Sequence, residues 1–263
     1  MKKTLTEIEE EERKWQVQHL AQVSQEPPFF YTERLKKNKN FPGDGFGWAL
    51  SKLLKVVNQD SIILDFCCGD GDRTCLLSQC LTPRKIFAFD LCEELIEIAR
   101  TKIAIAGVKN VEFTCSSFTN LRYPEKYFDI VFVWSVLHHF PEYILDALKV
   151  IFYLLKDEGY LVLREPICDS KAFNLARNLI PISKIATPNE AQLGTKELIR
   201  CVSQDFKILD SKHFSLLTRL QRVVNNSRLI DLFSMADEFL LKLKFINYFA
   251  GSLVIFARKN NEK

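Results

Sequence analysis

The residues best placed to do chemistry stand where short apolar runs end. Asp65 ends one such run, and a turn that contains Gly69 and Gly71 follows it. Asp90 ends a second run further along the chain. Glycines let a backbone turn tightly and approach a ligand closely, and a carboxylate at a strand tip can accept hydrogen bonds from ribose hydroxyls. The spacing therefore predicts a nucleotide-shaped ligand at the carboxyl ends of two parallel strands.

Alternating apolar runs and amphipathic segments must position these residues. We predict strands over 61–66, 85–90, 111–115, 128–134, 159–164, 206–209 and 252–257, and helices over 72–81, 92–106 and 141–155. This alternation predicts an α/β fold: a doubly wound (Rossmann-like), mostly parallel seven-stranded sheet with helices on both faces, plus N-terminal and inserted helical cap segments. The continuous apolarity around Val254 predicts that the last strand lies inside the sheet.

The chain is long enough for one sizeable core, and we expect a single domain over residues 1–263. Residues 1–45 are expected to form an N-terminal helical cap with an amphipathic helix, and residues 46–165 the ligand-binding core. Residues 166–204 and 216–248 are expected to be insertions that cap the substrate. Loops and insertions outside a sheet are where specificity is commonly set.

Charge, hydropathy and cysteine content limit which partners and which cell compartment we expect for this protein. The net charge of +3 gives no electrostatic footprint for nucleic acid. We expect no signal peptide and no transmembrane segment, because no sufficiently apolar stretch occurs. The eight cysteines form no C-x-x-C pair, so we expect reduced thiols in a cytoplasmic protein and no metal site. A small-molecule substrate fits best, and we expect the protein to be a monomer or a homodimer.

Two ligand classes use such a strand–turn–helix unit. A dinucleotide site calls for G-x-G-x-x-G, and Thr74 stands where the third glycine belongs. The stretch from Leu64 to Gly71 instead resembles the first motif of class I S-adenosylmethionine (SAM)-dependent methyltransferases. Segments 87–90, 128–139 and 155–161 resemble, in order, later strands and turns of that family. The resemblance, to its small-molecule branch, runs from about residue 60 to 165.

The resemblance implies roles for individual residues of a SAM site. Asp65 would organise the methionine amino end, and the backbone of Gly69 and Gly71 would face the amino acid and ribose. Asp90 would bind the ribose hydroxyls, with Leu91 under the adenine.

The resemblance extends to residues beyond the first two strands. Ser117 and Phe118 stand where the family places an acid and a small residue beside the adenine, and Trp134 and Ser135 would close over the methionine portion. Two residues depart from the family pattern. Cys67 occupies the first glycine position, and Ser117 replaces the usual acid.

A sulfonium methyl is already activated, so an enzyme of this kind chiefly aligns a nucleophile with it. An O–H or N–H nucleophile must also lose a proton, which favours a base with a pKa near neutral. His138, His139 and Glu165 follow the fourth and fifth strands and are the catalytic candidates. His138 and Glu165 are also substrate-binding candidates, with Tyr31 from the N-terminal cap. Each could instead be structural: a histidine here could cap a helix, Glu165 could simply end its strand, and Tyr31 could be core.

The sequence thus predicts a methyltransferase that uses SAM, releases S-adenosyl-L-homocysteine, and methylates oxygen or nitrogen of a small, apolar or aromatic metabolite. Two alternatives stay open at this point. One is an NAD(P)-dependent oxidoreductase, and the other is a non-catalytic homologue that binds SAM.

Overall fold

The computed structural model describes residues 3–23, 43, 45–170, 189, 191, 193–218 and 227–260. The strands are β1 (Ile62–Phe66), β2 (Lys85–Asp90), β3 (Val111–Cys115), β4 (Phe128–Trp134), β5 (Leu155–Pro166), β6 (Phe206–Phe214) and β7 (Ser252–Lys259). The helices are α1 (Leu5–Val23), α2 (Phe46–Leu53), α3 (Asp72–Leu81), α4 (Glu93–Ile105), α5 (Ile144–Leu154), α6 (Thr195–Val202) and α7 (Ser227–Leu240). Tyr31, predicted to touch substrate, lies outside the described residues.

The seven strands form one sheet in the order β3-β2-β1-β4-β5-β7-β6. Strands β1 to β5 are parallel, while β7 runs antiparallel to both of its neighbours, β5 and β6. The predicted α/β class is confirmed, and so is the interior position of the strand that contains Val254. The chain winds outward from β1 to β3 and then returns to β4, so the winding reverses between β1 and β4. Ligands of open α/β sheets bind at such a reversal.

Both faces of the sheet are covered, which is why its central strands are almost wholly apolar. Side chains alternate along a strand, so Ile63 packs with α2 and α3 on one face. Leu64 and Phe66 pack on the opposite face, where α5 and α6 lie. Packing on both faces holds β1 and β4 in place, and so it also fixes the position of the residues that follow these strands.

Helix α1 begins with a reciprocal capping box. The backbone N–H of Thr4 donates to Glu7 Oε2 over 2.7 Å, and the backbone N–H of Glu7 donates to Thr4 Oγ1 over 3.3 Å. This arrangement satisfies two amides that a helix start would leave open. Ile8 is 5% exposed and belongs to the core on the face of α5. The helix is thus anchored to the body of the protein by an apolar contact near its start.

The apolar face predicted for α4 contains a lysine, and the structure explains it. Lys102 is 5% exposed, yet its ammonium group reaches Asp72 Oδ1 over 2.7 Å and also pairs with Asp70. The long aliphatic stem packs in the apolar layer while the charge meets two carboxylates. The residue ties α4 to the turn that follows β1. Within the described ranges, no helix combines the length and apolarity that crossing a membrane requires.

Candidate functional site

Backbone hydrogen bonds hold the turn after β1, one to β2 and one within the turn. The N–H of Cys68 donates to the carbonyl of Phe89 over 2.8 Å, and that of Gly71 donates to the carbonyl of Cys68 over 3.1 Å. Gly69 and Gly71 have φ of 56° and 76°, in the left-handed region that glycine adopts without strain. A Cβ on Gly69 would meet no atom within 4 Å, whereas one on Gly71 would lie 2.6 Å from Ala99 Cβ. Gly69 therefore borders open space, and Gly71 allows α4 to pack closely.

Cys67, at the position where the family has a glycine, also takes the left-handed conformation, with φ of 58°. A residue with a side chain pays about 1–2 kcal/mol for that geometry. Ser135, which follows β4, has φ of 63°. Strained residues of this kind concentrate at functional sites, where the surrounding structure holds them in place. The two strained positions lie at the carboxyl ends of the neighbouring strands β1 and β4.

Asp65 lies beneath the turn, 2% exposed. Thr74 Oγ1 donates to its Oδ2 over 2.6 Å. Burial raises the pKa of the Asp65 carboxyl to about 7, against the opposing effect of the Thr74 hydrogen bond. Thr74, which breaks the dinucleotide pattern, is thus the residue that satisfies this carboxylate. A threonine, rather than the third glycine of the dinucleotide pattern, is therefore useful at position 74 because its hydroxyl bonds to Asp65.

Asp90 links the tips of β1 and β2. Its Oδ2 accepts the backbone N–H of Gly69 over 2.8 Å, and its Oδ1 accepts that of Cys92 over 3.1 Å. The side chain is almost fully buried, and that burial raises the pKa of its carboxyl. Each carboxylate oxygen can accept two hydrogen bonds. Asp90 can therefore hold the turn and still receive hydroxyls of a ligand.

The tip of β4 is built from aromatic and basic groups. Trp134 stacks on Phe132 with ring centroids 5.2 Å apart, and the Arg73 guanidinium lies 5.4 Å from the Trp134 ring. Arg164 donates to Ser135 Oγ, and the Ser135 N–H donates to the Arg164 carbonyl over 2.7 Å. These contacts fix the direction in which the loop leaves the end of β4.

Glu165 organises that loop from below. Its Oε1 accepts the backbone N–H groups of Val136 and Leu137 over 2.8 and 2.9 Å, and its Oε2 lies 2.7 Å from His138 Nδ1. Burial opposes ionisation, but the His138 ring and the backbone donors hold the pKa of the Glu165 carboxyl below its usual value. Both side chains are buried, at 0% and 5% exposure. The geometry gives this pair a positioning task, whereas its predicted role in substrate binding and catalysis stays a prediction.

A cavity of about 360 Å³ opens over these strand ends. Predicted cofactor residues that line it are Cys67, Gly69, Asp90, Leu91, Ser117, Phe118, Trp134 and Ser135. Asp65 and Gly71 lie outside the lining: Asp65 is hydrogen-bonded to Thr74, and Gly71 packs against Ala99 of α4. Of the three catalytic candidates, His139 lines the cavity, and His138 and Glu165 do not.

Helix α1 forms one wall of this cavity, through Ile8, Glu9, Glu12 and Gln16. Ser117 Oγ donates to Glu9 Oε1, so a carboxylate reaches the position where Ser117 replaces the family's acid. Glu12 Oε1 lies 3.3 Å from His139 Nδ1. Sequence reasoning predicted an amphipathic N-terminal helix but missed these acids. The capping box and the spacing of positions 8, 12 and 16 on one helix face were the available signals.

The cavity fits SAM by its chemistry and its size. Its volume lies within the range of small-molecule sites, about 300–1,000 Å³. Asp90 offers acceptor capacity at the tip of β2, Gly69 offers a backbone approach with no obstruction, and the lining carboxylates suit a sulfonium cation. No group of three or more histidine, cysteine or acidic residues with metal-binding geometry occurs within the described ranges.

Comparisons with known proteins agree with this site. The family model described as "methyltransferase domain" matches residues 63–159. A demethylmenaquinone methyltransferase of Lactococcus lactis is 39% identical over 101 residues, which are 38% of this chain and 40% of that one. The chain therefore matches less than half of the length of this relative.

Solved structures share the fold at low identity. A geranyl diphosphate C-methyltransferase from Streptomyces coelicolor, solved with S-adenosyl-L-homocysteine, has a TM-score of 0.60 at 11% identity and covers 81% of this chain and 78% of its own. A SAM-dependent methyltransferase from Aquifex aeolicus has a TM-score of 0.53 at 17% identity and covers 80% and 89%.

Proposed function

We propose that this chain, whose residues 63–159 match the methyltransferase-domain family model, is a class I SAM-dependent methyltransferase that methylates oxygen or nitrogen of a small, apolar or aromatic acceptor. SAM is the cofactor of the family. One observation carries the proposal. The motif residues after β1 and β2 and the aromatic residues after β3 and β4 line the same cavity.

When bound, SAM supplies an activated methyl group on a sulfonium. The chain's own residues then have three tasks: to hold the cofactor, to orient the acceptor and to keep water out. Asp90 and the backbone of Gly69 would hold the ribose and amino acid portions. Trp134, Phe118 and Phe140 give the cavity apolar walls, and apolar walls exclude water.

Proton removal from an acceptor hydroxyl or amine points to His139. It is the catalytic candidate that lines the cavity, and Glu12 beside its Nδ1 can orient the ring and stabilise its protonated form. His138 directly precedes His139 in the chain, and Glu165 holds the His138 ring. The buried pair would therefore position the backbone of His139. We propose His139 as the base and the pair as its support.

The acceptor atom has a second candidate. Curated relatives are named demethylmenaquinone methyltransferases, a name that favours a ring carbon of a hydroquinone. The matched segments cover about 40% of this chain, however, and the family match at residues 63–159 spans the cofactor half of the fold. Similarity there carries information on the cofactor rather than on the acceptor. An apolar aromatic acceptor is common to both proposals.

The test is transfer of labelled methyl. Purified full-length protein is incubated with methyl-labelled SAM and three acceptor groups: phenols and catechols, aromatic amines, and a demethylated naphthohydroquinone. Mass spectrometry of the products then assigns the methylated atom. We expect label on oxygen or nitrogen with wild type, and much less label with Asp90→Ala at a low SAM concentration. Label on ring carbon would replace the proposed atom, and SAH binding without any labelled acceptor would refute the proposed activity.

A further inference from the structure

Helix α1 buries a carboxylate oxygen for which the described residues provide no donor. Glu12 is 8% exposed and lines the cavity. Its Oε1 lies near His139 Nδ1 and Gln16 Nε2, at 3.3 and 3.5 Å, but its Oε2 has no hydrogen-bond partner among the described residues. Gln16 Oε1, one turn further along the same face, is also buried without a partner among them. Unpaired buried acceptors are costly, and a charged one more so.

The position of Glu12 brings it to the cofactor side of the cavity. Glu12 lines the same cavity as Asp90, at the tip of β2, and Cys67. Burial is the main cause of the raised pKa of Asp90, and the negative charge of Glu12 adds to it. The same charge acts on the thiol of Cys67, in the turn after β1. Glu12 therefore faces the two strand tips that hold the cofactor in this family. Carboxylates can only accept hydrogen bonds, so the missing partner is a donor.

We infer that Glu12, with Gln16 beside it, is a cofactor-binding residue that accepts hydrogen bonds from N–H or O–H groups of SAM. Helix α1 is then part of the cofactor site and not only a cap over the acceptor. The cofactor carries suitable donors in its ribose hydroxyls, its amino acid ammonium and its adenine amino group. Binding would pair the buried oxygens and so hold α1 closed against the sheet.

The experiment measures binding and does not depend on the acceptor. Isothermal titration calorimetry gives the Kd of S-adenosyl-L-homocysteine for wild type, Glu12→Gln and Gln16→Met. The matched control is Glu10→Gln, which removes the same charge from the same helix, where Glu10 is exposed and pairs with Lys14. We expect Glu12→Gln to weaken binding at least tenfold, Gln16→Met several-fold, and Glu10→Gln less than twofold.

A second ligand locates the donor. Methylthioadenosine keeps the adenine and ribose but lacks the amino acid portion. If Glu12→Gln weakens both ligands equally, the donor is on the nucleoside; if it weakens only S-adenosyl-L-homocysteine, the donor is the ammonium. Both results support the inference.

Wild-type affinity in Glu12→Gln and in Gln16→Met would overturn the inference. If Glu12→Gln does not fold, as judged by circular dichroism, the result with Gln16→Met decides. This inference builds on the proposed function only through the cofactor. A protein that binds S-adenosyl-L-homocysteine but methylates no acceptor would refute that function and leave Glu12 to be tested in the same way.

Discussion

Replacing Glu165 by glutamine tests whether the buried pair below the β4 loop is structural. The carboxylate accepts three short hydrogen bonds, from two backbone amides and the His138 ring, at 2.8, 2.9 and 2.7 Å. A glutamine that keeps its oxygen on the two amides turns its NH2 group toward His138 Nδ1, so the charge-assisted hydrogen bonds are lost and the ring must change tautomer. An unpaired buried donor costs about 1–3 kcal/mol, and a hydrogen bond to a charged group contributes about 1.5–3 kcal/mol.

We therefore expect Glu165→Gln to lower the free energy of unfolding by about 3 kcal/mol. For a chain of this size about 2–4 °C of melting temperature corresponds to 1 kcal/mol, so the midpoint should fall by about 6–12 °C. Urea unfolding and calorimetry measure both quantities. Glu10→Gln is the control, because it makes the same change at an exposed carboxylate that pairs with Lys14, and it should leave the midpoint unchanged.

The difference between wild type and Glu165→Gln should also depend on pH. The pKa of Glu165 is lowered in the folded state, so its contribution is present above the unfolded value, about 4.3, and is lost as the pH falls through the folded value. The two proteins should converge in stability at strongly acidic pH. Equal stability at pH 7, to within about 0.5 kcal/mol, would refute the reasoning, since surface substitutions produce changes of that size. A stable variant with lower kcat would return Glu165 to the catalytic candidates.

Three further predictions concern the turn and its carboxylate. Asp90→Ala should weaken S-adenosyl-L-homocysteine binding at least tenfold, about 1.4 kcal/mol or more, and unchanged affinity in calorimetry would contradict the site. Cys67→Gly removes the strain of a φ of 58° and should raise the free energy of unfolding by about 0.5–1 kcal/mol; a lower melting temperature would mean that the thiol's packing outweighs the strain. Gly71→Ala places a methyl group 2.6 Å from Ala99 Cβ at a φ of 76° and should cost about 2 kcal/mol or more. Wild-type stability by urea unfolding would show that α4 can move aside.

The sequence predicted much of the fold because the signals are local. Apolar runs broken by glycine placed β1 and β2 to within a residue, and the helix predicted over 72–81 is α3. Parallel strands end at one edge of a sheet, so the order of the strands was enough to predict that Asp65 and Asp90 lie together. Strand β6 is longer than predicted because its pairing with β7 extends past the apolar residues that marked it. Strand β5 is longer because Leu155 pairs with Phe128 of β4 at its start and the pairing with β7 continues to Pro166 at its end.

The sequence by itself marked the strands, the turn after β1 and the resemblance to a SAM site, because each signal lies in residues close together in the chain. Tertiary structure alone decided which titratable groups meet. It buried Glu165 under the loop that carries His138, and it brought Glu12 of α1 to His139, more than a hundred residues away. Such pairs carry no local signal, since they form only when packing of the sheet and its helices fixes where each side chain ends.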